Sequence, residues 1–258
     1  MTNLQKRILS GLVLLVILTL LISATKVIPD IPIYTLAILT LLVSFEYSQF
    51  FKTKTLSSVF LLTILLSALI PSEYYSFLVI IGCLIWLSLF TRILLYDNPS
   101  MGSAEIFFSG YLMIVPSFIS GVIIFEAYPK VLMLVLLAVS FADSAAYFCG
   151  KRFGKKILLK NTSPGKTFEG LIGSFIATPI FLGLLSGLIE IELSDAIIFG
   201  MIITPISFVG DVVFSFIKRS TNVKDSSNLI PGHGGFIDLL DGSIASLPLF
   251  ALLLINLS

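Results

Sequence analysis

Charge is what this 258-residue sequence has least of: Asp, Glu, Lys and Arg make up 12% of it, against about a quarter in ordinary globular chains. So few ionic groups cannot coat a water-facing surface, which argues against a soluble domain. Histidine occurs once, at His233, so a site needing two imidazoles is excluded. Cys83 and Cys149 stand alone inside apolar runs, without a CxxC pair or metal-ligand spacing. That argues against a disulfide scaffold or zinc site and for thiols buried in helices. The formal net charge is +1, so no electrostatic bias points to nucleic acid, and none is expected as a partner.

What is abundant is apolar sequence: 57% hydrophobic residues and a mean hydropathy of +1.06. The apolar residues fall in continuous blocks without period-2 alternation, which disfavours a β-barrel. Helical spans need roughly 17–25 residues to cross a membrane. The blocks predict spans near 8–24, 31–45, 56–70, 75–95, 105–125, 131–149, 170–189, 196–217 and 243–257. The second, third and ninth are short enough to serve as tilted hairpin partners. With nine spans and a cytoplasmic N-terminus, fourteen of the sixteen basic residues fall inside, leaving Lys26 and Lys130 outside. The expectation is an all-α polytopic membrane protein, N-in and C-out.

Lys6-Arg7 and the run Ile22-Ser23-Ala24 give the first block some signal-peptide character, but its apolar run exceeds the usual roughly 7–15 residues. An uncleaved anchor is expected. Three regions follow: residues 1–104 with four spans, 105–169 with middle spans and a basic loop, and 170–258 with the remaining spans and a second polar loop. The longest polar stretches, 150–169 and 218–242, share the cytoplasmic face, where the chemistry is expected.

Asp143 and Asp211 lie in the sixth and eighth apolar blocks. An intramembrane carboxylate costs several kcal/mol unless it meets a cavity, a cation or a partner. Each is expected one to two turns from the cytoplasmic end. A structural pair with a base such as Lys218 is one explanation; a site is the other. The following loop favours the site, bringing Lys218, Arg219, Lys224 and Asp225, then Pro231-Gly232-His233-Gly234-Gly235, then Asp238 and Asp241. Asp238 and Asp241 are i,i+3 and share a helical face. With Asp211 they form a hard-oxygen set suited to Mg²⁺, while Gly232, Gly234 and Gly235 permit close approach to phosphate. A phosphate monoester nucleophile is already ionised near neutral pH, so His233 is assigned to positioning or phosphate binding rather than to base catalysis.

The first loop holds Lys151, Arg152, Lys155, Lys156, Lys160 and Lys166. Gly165-Lys166-Thr167 is not a Walker A motif, since the required earlier glycine is Lys160. Ser163-Pro164 signals a turn, with Lys166, Thr167 and Glu169 expected at a helix start that would suit an anion. The same basic charges would equally suit anionic lipid headgroups.

Ser215-x-x-Lys218-Arg219, Lys224-Asp225 and Pro231-Gly232-His233-Gly234-Gly235-Phe236-x-Asp238-x-x-Asp241 together closely resemble the signature of the phosphatidate cytidylyltransferase, or CDP-diacylglycerol synthase, family. Asp143, Ala146-Tyr147, Gly150, Gly154-Lys155 and Ser163-Pro164-x-Lys166-Thr167-x-Glu169-Gly170 resemble it too. The likeness covers roughly the C-terminal half; the N-terminal half matches in hydropathy and weakly in Glu46-Tyr47. It implies an enzyme that joins CTP and phosphatidate to give CDP-diacylglycerol and pyrophosphate. It further implies nine transmembrane helices, a homodimer among membrane lipids, and Mg²⁺ with room for a monovalent cation such as K⁺. The site would face the cytoplasm from a bacterial inner membrane. By this resemblance Asp211 and Asp238, with Asp241 close by, hold metal; Asp211, Asp238, Lys218 and Lys224 are catalytic. Lys166, Thr167, Ser215, Arg219, His233, Gly234, Gly235, Asp143 and Lys155 bind substrate or phosphate.

Two positions depart from the family: Leu239 and Lys151 each replace an arginine. Losing a bidentate phosphate donor at 239 is not conservative, and it keeps open another lipid phosphate or a polyprenol as acceptor. A secondary transporter using Asp143 and Asp211 is the rival from another class, though no internal repeat is evident. An inactive paralogue fits poorly with the intact acids.

Overall fold

The computed structural model describes residues 28–189, 191–230 and 234–255. They form α1 (Ile31–Ser48), α2 (Lys54–Leu66), α3 (Tyr75–Leu95), α4 (Ser103–Ala127) and α5 (Pro129–Phe153). A short hairpin, β1 (Ile157–Leu159) and β2 (Ser163–Thr167), precedes α6 (Phe168–Ile189), α7 (Leu193–Ser220) and α8 (Phe236–Ile255). Seven of these helices are long and apolar enough to cross a membrane, and the protein is an all-α polytopic membrane protein. Of the three blocks expected to be short, α1 and α8 reach 18 and 20 residues, whereas α2 stops at 13. The first expected span, the signal-peptide question and His233 lie outside the described residues.

Local chemistry sets several boundaries. The Thr53 hydroxyl accepts from Leu56 N at 3.3 Å and opens α2. Pro129, whose missing N–H costs nothing in a first turn, starts α5. Pro116, Pro179, Pro205 and Pro248 sit inside helices, which a membrane bundle tolerates where neighbours fill the irregularity. Gly200 lets Pro179 approach: a β-carbon there would lie 2.6 Å from Pro179 Cα. The core gathers buried Tyr47, Phe60, Trp86 and Phe214, with Tyr47 stacked on Phe60 and Trp86 edge-on to Phe214.

One end of the bundle collects the polar segments. Asp97, just past α3, accepts from Asn161 N at 2.8 Å and from Thr162 N and Oγ1 at 2.9 and 2.6 Å, pinning the hairpin tip. Glu46, near the end of α1, binds the segment before α8. The connections 49–53, 96–102 and 154–167 and the described residues 221–230 and 234–235 therefore share a face, as alternating spans require.

Candidate active site

At this end, α5 contributes Asp143, β2 contributes Lys166, α7 contributes Asp211, Ser215 and Lys218, and α8 contributes Asp238 and Asp241. Lys166 Nζ pairs with Asp211 Oδ2, while Ser215 Oγ donates to Asp211 Oδ1 at 3.3 Å. Asp143 Oδ1 accepts from Ser207 Oγ at 3.1 Å and lies in the same small pocket as Lys166. Asp241 is buried, accepts from its neighbour Gly242 N, and feels the charges of Asp211, Asp143, Lys218 and Lys166. Burial works against the Lys166 ammonium, but Asp211 and Asp143 outweigh it and raise its pKa above the ordinary lysine range.

Lys218 pairs with Asp238 Oδ1. Asp238 Oδ2 accepts from Ser226 N at 2.8 Å, Gly235 N at 2.9 Å and Ser226 Oγ at 3.0 Å. Asp238 is the third residue of α8, so its bond from Gly235 N is one half of a capping box. Gly234 has φ +98, and a β-carbon on it would fall 2.5 Å from Asp238 Oδ2. Here glycine is required by both backbone and space.

Several expectations change. Asp143 and Asp211 sit two to three turns below the ends of α5 and α7, about 15 Å by helical rise. The reason is that both helices continue beyond the apolar blocks, through Lys151-Arg152 and Lys218-Arg219. Lys166 and Thr167 lead directly into α6, with Glu169 in its first turn, as expected, but they do so from a strand rather than from a turn, because Ile157 pairs with Thr167 and Leu159 with Ser163. Thr167 Oγ1 accepts from Gly170 N at 3.2 Å and so caps α6. Lys155 is exposed, and its backbone N–H donates to Glu169 at 2.9 Å. Arg219 donates to Val223 O, and Lys224 is exposed. Lys151 stacks over Tyr147. Cys83 and Cys149 are free but half-buried, Cys149 because it borders an apolar groove between α5 and α6 of about 470 Å³.

Among the described residues, no three His, Cys, Asp or Glu side chains converge as a ready metal cage. The acids are instead interleaved with ammonium groups. Mg²⁺ commonly takes only one or two carboxylates and completes its octahedron with phosphate oxygens and water, so an ion here would draw on these acids in competition with the Lys166 and Lys218 ammonium groups. Glu46 and Asp97 were not placed in the site by sequence reasoning; each binds backbone N–H groups distant in sequence, which leaves no local pattern.

A family model described as the cytidylyltransferase family matches residues 5–257. A Haemophilus influenzae phosphatidate cytidylyltransferase is 40% identical over 126 residues, covering 46% of this chain and 44% of that protein. A Pseudomonas aeruginosa phosphatidate cytidylyltransferase is 33% identical over 187 residues, covering 68% of each. The Aquifex aeolicus protein of the same name is 33% identical over 123 residues, covering 48% of this chain and 46% of that protein. The matched segment thus spans less than half of the first and third relatives and about two thirds of the second.

Proposed function

The chain belongs to the cytidylyltransferase family, and from that premise we propose that it transfers the cytidylyl group of CTP to phosphatidate, yielding CDP-diacylglycerol and pyrophosphate. The observation that carries this reading is the alternation Asp143, Lys166, Asp211, Asp241, Lys218 and Asp238 at one end of a membrane bundle. Acids alone would repel a triphosphate and lysines alone would hold it without room for a metal.

An oxygen of the lipid phosphate forms the new bond to the α-phosphorus. The bond from that phosphorus to the oxygen bridging to the β-phosphorus breaks, and pyrophosphate leaves. The attacking oxygen is already ionised, since the second phosphate pKa is about 6, so no side chain need remove a proton. Phosphate oxygens of the incoming nucleotide compete with Asp211 and Asp238 for Lys166 and Lys218. Lys224 and Arg219, nearer solvent, serve the outer phosphates. Asp211 and Asp238, with Asp241 close by, would hold Mg²⁺, which would supply charge to offset that on the nucleotide oxygens.

The clustering of basic residues at this end supports a cytoplasmic site in a bacterial inner membrane. A homodimer, and a monovalent ion such as K⁺, belong to the same proposal. The test is a detergent-solubilised assay with labelled CTP, phosphatidate and Mg²⁺. Label should enter the organic phase only when all three are present. Transfer to a polyprenyl phosphate but not to phosphatidate would overturn the acceptor and implicate Leu239.

A further inference from the structure

Glu46 lies in the half of the chain that carries little of the signature, yet it is 2% exposed and both its oxygens are engaged by the signature loop. Oε1 accepts from Ser227 Oγ at 2.7 Å and Phe236 N at 3.0 Å. Oε2 accepts from Ser226 Oγ at 2.9 Å and Ile237 N at 2.9 Å. Two donors belong to the limb entering the loop and two to the limb leaving it. All four are neutral groups, and two are backbone N–H groups at the start of α8, where the helix has no intrahelical acceptor for them.

The loop itself supplies no substitute. The residue before α8 is Gly235, which has no side chain to cap Phe236 N or Ile237 N. Nor is there space for one: a β-carbon at Gly235 would lie 2.0 Å from Ser226 Oγ and 2.4 Å from Glu46 Oε2. Ser226 then links Glu46 to Asp238, contacting both carboxylates. Glu46 therefore supplies one half of the α8 cap and Asp238 the other.

We propose that Glu46 is a positioning residue for the reaction: its carboxylate clamps the two limbs of the signature loop in the register that brings Asp238 to Lys218. The proposal rests on the reading of this loop as the nucleotide site. Glu46 touches none of the proposed phosphate-binding lysines, so it acts through Ser226, Ser227 and the start of α8.

The experiment compares Glu46→Gln, Glu46→Asp and Ser227→Ala with the wild type in detergent, by steady-state kinetics in CTP and Mg²⁺ and by amide hydrogen exchange. Glu46→Gln turns one acceptor into a donor facing an N–H group. It should lower kcat/KM for CTP on the order of tenfold or more, as loss of hydrogen bonds to a charged group implies. It should also raise the Mg²⁺ needed for half-maximal rate. Exchange should quicken at residues 225–230 and 234–237 while the 157–167 hairpin stays unchanged. Glu46→Asp, which keeps both oxygens, should recover part of the loss. Ser227→Ala, removing one donor, should move the same quantities less, by roughly two- to fivefold.

Wild-type kinetics in Glu46→Gln, or exchange that rises equally in loop and hairpin, would overturn the proposal. If Glu46→Gln fails to fold, Ser227→Ala decides: a loop-confined exchange change with a raised KM upholds the clamp, and wild-type values sink it. A wild-type protein without cytidylyl transfer would remove the functional reading. Loop-confined exchange in the variants would still uphold the clamp.

Discussion

Lys166–Asp211 and Lys218–Asp238 are both ammonium–carboxylate pairs at the same end of the bundle, yet their surroundings differ. The side chains of the first pair are 21% and 23% exposed, and Asp211 has one further partner, Ser215. Those of the second are 9% and 8% exposed, and Asp238 also accepts from Ser226 and Gly235. A pair with about a fifth of its side-chain surface exposed, one partner on a hairpin, can exchange partners more readily when a phosphate arrives. A buried pair that also caps a helix loses structure if it opens fully. Under the proposed function the contrast predicts a division of labour, with Asp211 and Lys166 weighted toward chemistry and Asp238 toward architecture.

The sharpest way to break that comparison is Asp211→Asn. It should cut cytidylyl transfer roughly a thousandfold, as removal of a metal-holding charge implies, while thermal denaturation in detergent stays near wild type. Retention of full activity would sink the assignment. Asp238→Asn should cost both rate and stability. Leaving Lys218 buried without its charge partner is worth about 3 kcal/mol, seen as a lower denaturation temperature. An unchanged temperature would erase the architectural half of the contrast.

Lys166→Ala should leave the fold intact and raise KM for CTP about tenfold; an equal loss in kcat alone would shift Lys166 from binding to the reaction step. The Lys166 pKa is raised, so its pairing is complete below the ordinary lysine value and is lost only as pH climbs through the folded one. Denaturation temperature should hence stay flat from pH 7 to about 9. A decline in that window would mean Asp211 and Asp143 do not hold the charge. The smallest effect is expected for Asp97→Asn, about 1 kcal/mol, with faster exchange confined to Asn161 and Thr162.

Much of this was legible in the sequence, and the reasons are specific. Continuous apolar runs marked the helices because a helix that crosses a bilayer must be apolar along most of its length. Asp143 and Asp211 stood out because ionic groups are costly there. The hairpin was missed because Ser163-Pro164-Gly165 reads as a turn, and only pairing with Ile157 and Leu159 makes it a strand. The depth of the two acids was underestimated because polar residues such as Lys151 and Arg152 continue a helix as readily as they end a span. Glu46 was visible only as a weak likeness, since its partners lie about 180 residues away. A glycine-rich stretch announces that something must approach closely, but not what.

The shortest helix carries a consequence of its own. Thirteen residues of α2 rise about 20 Å, less than a hydrocarbon core of roughly 30 Å. Leu62, Leu65 and Leu66 nevertheless face outward, each more than half exposed. The helix runs on through a 3-10 turn at Ser67–Leu69, and lipids beside such a segment, were it to span, would have to shorten or splay to meet its ends, at a cost of fractions of a kcal/mol for each ångström of mismatch. A span this short would favour a thinner bilayer, so stability measured in bilayers of graded chain length should peak at the shorter chains.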